Sequence, residues 1–163
     1  MSIWGGITGG LLGFVVLGPI GALVGSVIGS NLSSLSSRRR PNNFDKQVAF
    51  FAALFACLAK IAKADGRVDE SEVNKIEEII SSKLNLKGEH RKFAINIFQK
   101  AKDDNVSFEA YASNLYQILS TSPNSLLVFY EMLFELALAD GNLHPNEDDL
   151  LKKIPRIFKF DHK

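Results

Sequence analysis

Four acidic side chains are the residues of this sequence best suited to chemistry. Asp65 and Glu72 form one pair, and Asp140 and Glu147 form the other. Both pairs lie in the same pattern, Ala-x-Ala-Asp-Gly-x-Φ-x-x-x-Glu, in which Φ is Val or Leu. Carboxylate oxygens are the ligands that hard divalent cations prefer. One interpretation of the pattern is therefore a divalent-cation site shared between two turns.

The second interpretation of these turns is structural. Gly66 and Gly141 are placed to end one helix in the left-handed conformation. Glu72 and Glu147 then fall at the third position of the next helix, where a carboxylate completes a capping box. The interval from Gly to Glu matches an EF-hand loop, but neither copy has oxygen ligands at loop positions 1 and 3. EF-hand calcium binding is not predicted, whereas capping and a weaker cation site remain as alternatives.

Other reactive residues give no catalytic pattern. No histidine lies at metal-ligand spacing from a cysteine or a second histidine, and Cys57 is surrounded by apolar residues that predict an inert core thiol. The acidic clusters Asp103-Asp104 and Glu147-Asp148-Asp149 are expected to be solvated at helix ends. The net charge of +1 argues against nucleic-acid binding. We therefore predict a protein that is not an enzyme and does not bind nucleic acid.

Helical periodicity extends over most of the chain beyond Phe44. Ser107 is a predicted N-cap, and Pro123 and Pro145 are predicted first residues of helices; Pro155 is expected to disturb the last helix near Ile154. No segment shows sustained strand alternation. The segments KIAKADGRVDESEVNKIEEI and ELALADGNLHPNEDDLLKKI align without a gap, and each reads as helix, turn and helix. The predicted fold is all-α, with a pseudo-twofold internal repeat.

The N-terminal segment differs in composition from the rest. No Asp, Glu, Lys or Arg precedes Arg38, and nine of the 12 glycines lie before that residue. About 20 apolar residues suffice to cross a bilayer, so residues 1–32 are predicted to form a transmembrane helix. Its glycine ladder, which includes Gly21, Gly25 and Gly29, indicates either a seam where two membrane helices associate or the glycine content that is ordinary in membrane helices. Pro19 leaves two alternatives, a single span or a re-entrant hairpin.

Basic residues predict the orientation of this span. Arg38, Arg39 and Arg40 follow it directly, and the positive-inside rule places such a cluster in the cytoplasm. The predicted organisation is a membrane anchor over residues 1–32, a basic and polar linker over 33–43, and a cytoplasmic helical domain over 44–163.

These segments together resemble the DjlA family of membrane-anchored, DnaJ-like co-chaperones. The resemblance is carried by Met-x-x-Trp-Gly, the glycine-rich span, FFAALFACLAKIAKADGRVDESEV, NLKGEHRKFAINIFQKAK and FELALADGNLHPNED. The region after the linker resembles the TerB domain named after tellurite resistance. The resemblance implies a single-pass inner-membrane protein that dimerises through its span. It also implies that any metal would bind at Asp65, Glu72, Asp140 and Glu147.

The J domain of the DjlA family is not matched. Its His-Pro-Asp tripeptide does not occur before Lys163, and His144-Pro145 is followed by Asn146. We therefore expect no co-chaperone activity of this chain by itself. The predicted function is a membrane-anchored scaffold that recruits a partner or client protein of a chaperone system or stress response. The alternative is a divalent-metal-binding or metal-sensing protein of the TerB type.

Overall fold

The structure is a computed structural model that describes residues 18–28, 43–64, 70–138 and 143–160. Every regular element within these ranges is an α-helix, which confirms the all-α fold class. The helices are α1 (Pro19–Ile28), α2 (Asn43–Ala62), α3 (Glu70–Lys83), α4 (Glu89–Asp103), α5 (Phe108–Leu119), α6 (Pro123–Ala137) and α7 (Pro145–Ile157).

Helix α2 lies at the centre of the domain. It packs against α1, α4, α5, α6 and α7. Residues 52–59 are all buried, and half of them are alanines. A helix that is apolar on every side is stable only when other helices surround it, and alanine lets those helices approach closely. The structure thus buries the full circumference of this helix over residues 52–59.

Two predicted helix starts are confirmed. The Ser107 side chain accepts a hydrogen bond from the Ala110 N–H at 3.0 Å, as an N-cap does. Pro123 is the first residue of α6, where its missing N–H leaves no donor unsatisfied. The serine before it makes no side-chain cap hydrogen bond.

The end of α7 differs from the prediction. The helix does not end near Ile154 but continues through Pro155 to Ile157. A proline removes one hydrogen bond and leaves the later ones possible. The Phe158 N–H donates to the Ile154 carbonyl at 2.8 Å, and the Phe160 N–H donates to the Pro155 carbonyl at 2.9 Å. These two bonds close the last turn.

The internal repeat corresponds to two helix pairs. The first copy forms α2 and α3, and the second copy forms α6 and α7. Helix α2 packs against α6, and the second helix of each copy contacts the first helix of the other. This reciprocal contact is consistent with the repeat in the sequence, while α4 and α5 connect the two copies.

Part of the predicted membrane anchor packs against the helical domain. Helix α1 is ten residues long and contacts α2, α4 and α5, and Ile20, Leu23 and Val24 are buried in the core. Among the described residues, no helix has the length and apolar character needed to cross a bilayer. The rest of the predicted span, and almost all of the predicted linker, lies outside the described residues.

Candidate functional site

The acidic turns lie at the starts of two helices. Glu72 is the third residue of α3 and Glu147 is the third residue of α7, which are the positions that capping predicts. Asp65, Asp140 and the side chain of Glu72 lie outside the part of the chain that is described. Within that part, no group of three or more His, Cys, Asp or Glu side chains is arranged to hold a metal. The cation site therefore stays a prediction.

The start of α7 has the expected polarity. His144 is the N-cap in an extended conformation, and Pro145 is the first helical residue, as predicted. Glu147 and Asp148 lie in the first turn, where negative charge is stabilised by the helix dipole. Asp148 also pairs with Lys152 at 2.7 Å and raises the pKa of that exposed lysine. This acidic turn thus forms the N-terminal end of α7, and the Glu147 and Asp148 side chains are half-buried.

Asp104 is the centre of a polar cluster that joins three parts of the chain. Its Oδ1 accepts hydrogen bonds from Lys60 Nζ at 2.6 Å and from the Val106 N–H at 3.0 Å. Its Oδ2 accepts one from the Tyr111 hydroxyl, and Lys60 Nζ also donates to the Asp104 carbonyl at 3.1 Å. The prediction that Asp104 is solvated is therefore wrong, because its lysine partner lies on a helix distant in sequence.

The side chains of this polar cluster have a structural role. Burial, the hydrogen bond to Asp104 and the negative charge of that carboxylate together raise the pKa of Tyr111 far above its usual value. The phenol therefore keeps its proton and serves as a donor. The Lys60 side chain is only 12% exposed, so its charge is neutralised within the cluster. The cluster fixes the loop after α4 to helices α2 and α5.

Cys57 matches the prediction of an inert core thiol. It is a free cysteine with no solvent exposure. Burial, and secondarily the charge of Glu109, raise its pKa well above the usual value. Since the thiolate is the reactive form, this residue is not a nucleophile at neutral pH.

An exposed apolar surface lies on α6. Leu127, Val128 and Phe134 are 46%, 47% and 37% exposed, and they are the large hydrophobic residues exposed in the described chain. A shallow groove of about 770 Å³ lies beside Phe134, and it is lined by Lys83, Tyr130, Glu131, Phe134, Glu135 and Leu138. We call these residues together the α6 face. Contiguous exposed apolar residues commonly mark a binding surface.

Sequence reasoning missed the α6 face. Within α6, the helical period of apolar residues predicts a core stripe that includes Leu126, Phe129 and Leu133, and the structure buries all three. The sequence analysis predicted no role for the apolar residues outside that stripe. Apolar side chains on the solvent side of a helix were nevertheless a signal of a binding surface. Among the other predicted site residues, Gly21 is buried and Gly25 is half-buried within α1. Gly29 and Arg38, Arg39 and Arg40 lie outside the described residues.

Comparison with known proteins agrees with this architecture. The family described as tellurite resistance protein TerB matches residues 51–163. The family described as the co-chaperone DjlA transmembrane domain matches residues 1–37. No solved structure matches the chain.

Several relatives are similar over most of this chain. It is 32% identical over 173 residues to the co-chaperone protein DjlA of Photobacterium profundum, an alignment that covers 99% of this chain and 62% of the relative. The DjlA proteins of Coxiella burnetii and Escherichia coli K12 are 31% and 30% identical, over 99% and 93% of this chain. The alignments cover 64% and 57% of those two relatives. The chain thus spans about three fifths of the relatives' length.

The fold and these matches define a class of protein in which an all-helical domain follows a segment related to a membrane anchor. The chain belongs to the TerB family. Its N-terminal segment is of the kind found in the DjlA co-chaperones, which confirms the resemblance that the sequence motifs indicated.

Proposed function

We propose that this protein is a membrane-anchored, non-enzymatic scaffold that recruits a partner or client protein to the bacterial inner membrane. The observation that carries the proposal is the joint match to the DjlA transmembrane domain and the TerB family in one chain. The relatives with this arrangement are named co-chaperones. A link to a chaperone system or stress response follows from that relationship.

Residues 1–32 serve as the anchor in this proposal. The cluster Arg38, Arg39 and Arg40 holds the helical domain on the cytoplasmic side, because basic residues flanking a span are retained there. Gly21, Gly25 and Gly29 let two anchors approach closely, so the protein is a homodimer in the membrane. The single span is supported by its length, which exceeds the bilayer requirement.

The α6 face is the proposed recruiting surface. It combines exposed Leu127, Val128 and Phe134 with a groove that carries Glu131 and Glu135. Apolar anchors at the centre of an interface provide most of its binding energy, and rim charges select the partner. A partner with an apolar side chain flanked by basic groups fits this surface.

Three chemically reactive side chains among the described residues have structural roles. Cys57 is buried with a raised pKa, and Tyr111 is held protonated by Asp104. Lys60 is committed to the same carboxylate. These groups stabilise the fold and are not placed to act on a substrate.

Site-specific photo-crosslinking in cells tests the recruiting surface. A photoreactive phenylalanine replaces Phe134 in the full chain, and the matched control carries it at Asn96, which is exposed on α4. We expect a discrete crosslinked product in the membrane fraction for position 134, which Leu127→Asp weakens. Equal crosslinking at both positions, or none at position 134, would contradict the recruiting role of the α6 face.

The second candidate function is divalent-cation binding by Asp65, Glu72, Asp140 and Glu147. It rests on the repeat of the Asp-Gly and Glu pattern in both turns of the sequence. Two carboxylates repeated in this way provide the hard oxygen ligands of Ca²⁺ or Mg²⁺. A sensor of this kind would respond to the cation through the stability of the two turns.

A further inference from the structure

Helix α1 begins with a cap supplied by another helix. The Gly18 carbonyl accepts from the Ala22 N–H at 3.0 Å, so Gly18 is the N-cap residue. It has no side chain to accept the second orphan N–H of the helix. Asn114 on α5 does so instead, because its Oδ1 accepts from the Ile20 N–H at 2.9 Å. Pro19 lacks an N–H and needs no acceptor.

Gly18 fits this contact in a way that other residues would not. Its φ is +97°, a conformation that L side chains rarely adopt. A Cβ at this position would lie 3.1 Å from Asn114 Nδ2 and 3.2 Å from Asn114 Oδ1. Asn114 is also the buried polar side chain of the described core. The two residues are therefore matched to each other across 96 positions of sequence.

The side chains of α1 are matched to the domain as well. Ile20, Leu23 and Val24 are buried and Val27 packs against the same core, which gives the spacing of an amphipathic helix. Ala22 and Ser26, on the other side, are exposed. The docked helix therefore presents its larger apolar side chains to the domain and its small residues to solvent.

The same residues cannot be docked and membrane-inserted at once. They belong to the segment that matches the DjlA transmembrane domain, and α1 is about 15 Å long at 1.5 Å per residue. The hydrocarbon core is about 30 Å thick, so residues 19–28 would form half of the span.

We propose that the surface formed by α2, α4 and α5 is a receptor site for residues 19–28, which competes with the bilayer for this segment. The chain then has a docked state and an inserted state, and insertion uncovers the apolar surface around Asn114. The inference rests on the proposed function, since it requires that the N-terminal segment enters membranes.

Substitutions on the two sides of the contact separate these states. Asn114→Ala removes the acceptor without changing the anchor, and we expect the ratio of inserted to docked chain to rise about fivefold. Gly18→Leu, which is strained only in the docked state, has the same direction of effect. The docked helix tolerates Ala22→Asp, because position 22 is exposed to water. In the inserted state the same change places a charge in the bilayer. It is expected to lower the ratio about a hundredfold.

The experiment uses the full chain mixed with vesicles of phosphatidylethanolamine and phosphatidylglycerol, followed by flotation in alkaline carbonate. Asn96→Ala is the matched control, because that asparagine is exposed on α4. A fold check by circular dichroism accompanies each variant, and Gly18→Leu replaces Asn114→Ala if the latter is unfolded.

The outcomes distinguish the two proposals. Greater insertion of Asn114→Ala and Gly18→Leu than of the parent and Asn96→Ala supports the receptor site. Insertion of the parent with no change in either variant would overturn the receptor site and leave the membrane anchor intact. If neither the parent nor Gly18→Leu inserts into the vesicles, the proposal that residues 1–32 form a membrane anchor is overturned.

Discussion

Replacing Tyr111 by Phe tests the polar cluster around Asp104. The change keeps the ring, which is 1% exposed, and removes only the hydroxyl that donates to Asp104 Oδ2. A hydrogen bond to a charged acceptor contributes about 1.5–3 kcal/mol. Asp104 keeps Lys60 and the Val106 N–H as donors, so the carboxylate is not left unpaired. We therefore expect the free energy of unfolding to fall by about 2 kcal/mol at neutral pH.

The same substitution changes the response to alkaline pH. The folded chain raises the pKa of Tyr111, so it holds a proton that the unfolded chain releases above about pH 10. This contribution to stability is fully present below the unfolded pKa, begins to fall once pH exceeds that value, and is completely lost as pH rises through the folded pKa. At about pH 11 the loss is at most about 1.4 kcal/mol. The Phe variant has no such proton. The difference in the free energy of unfolding between the parent and Tyr111→Phe should therefore be smaller at about pH 11 than at neutral pH, by that amount.

Urea unfolding of the full chain in mild detergent, followed by circular dichroism at neutral pH and at about pH 11, measures both effects. Tyr116→Phe is the matched control on the same helix, where the ring lies 5.4 Å from Lys159 Nζ. It is expected to change stability by less than about 0.5 kcal/mol. Equal stability of Tyr111→Phe and the parent at neutral pH, or a difference that widens in alkali, would refute this account of the cluster.

Two further changes test the core and the acidic turns. Phe129 is fully buried between the rings of Phe50 and Phe158, so Phe129→Ala should lower the free energy of unfolding by about 3–5 kcal/mol in the same assay. A loss below about 1 kcal/mol would mean that α6 does not pack as described. For the cation site, millimolar Ca²⁺, Mg²⁺ or Zn²⁺ should raise the melting temperature of the parent relative to chelator, since a ligand of the folded state stabilises it. Glu72→Gln should abolish that rise while still serving at the capping position; no rise in the parent would leave capping as the explanation.

Periodicity was sufficient to predict much of the helical domain because helix starts are local events. Ser107 accepts from an N–H three residues away, and Pro123 and Pro145 need no partner at all. Such features depend on neighbours in the chain. The end of α7 was predicted less well, because whether a proline ends a helix depends on the hydrogen bonds that follow it.

The sequence by itself determined the helical class, the inert thiol and the division into an uncharged N-terminal segment and a charged domain. These follow from residue type and spacing within single segments. Only the tertiary structure decided which long-range partners meet. Lys60 and Asp104 are 44 residues apart and Ile20 and Asn114 are 94 apart, and no local pattern records either pair. The contact between α1 and the domain, like the exposure of Phe134, is set by how seven described helices share one core, because packing assigns the faces that periodicity leaves equivalent.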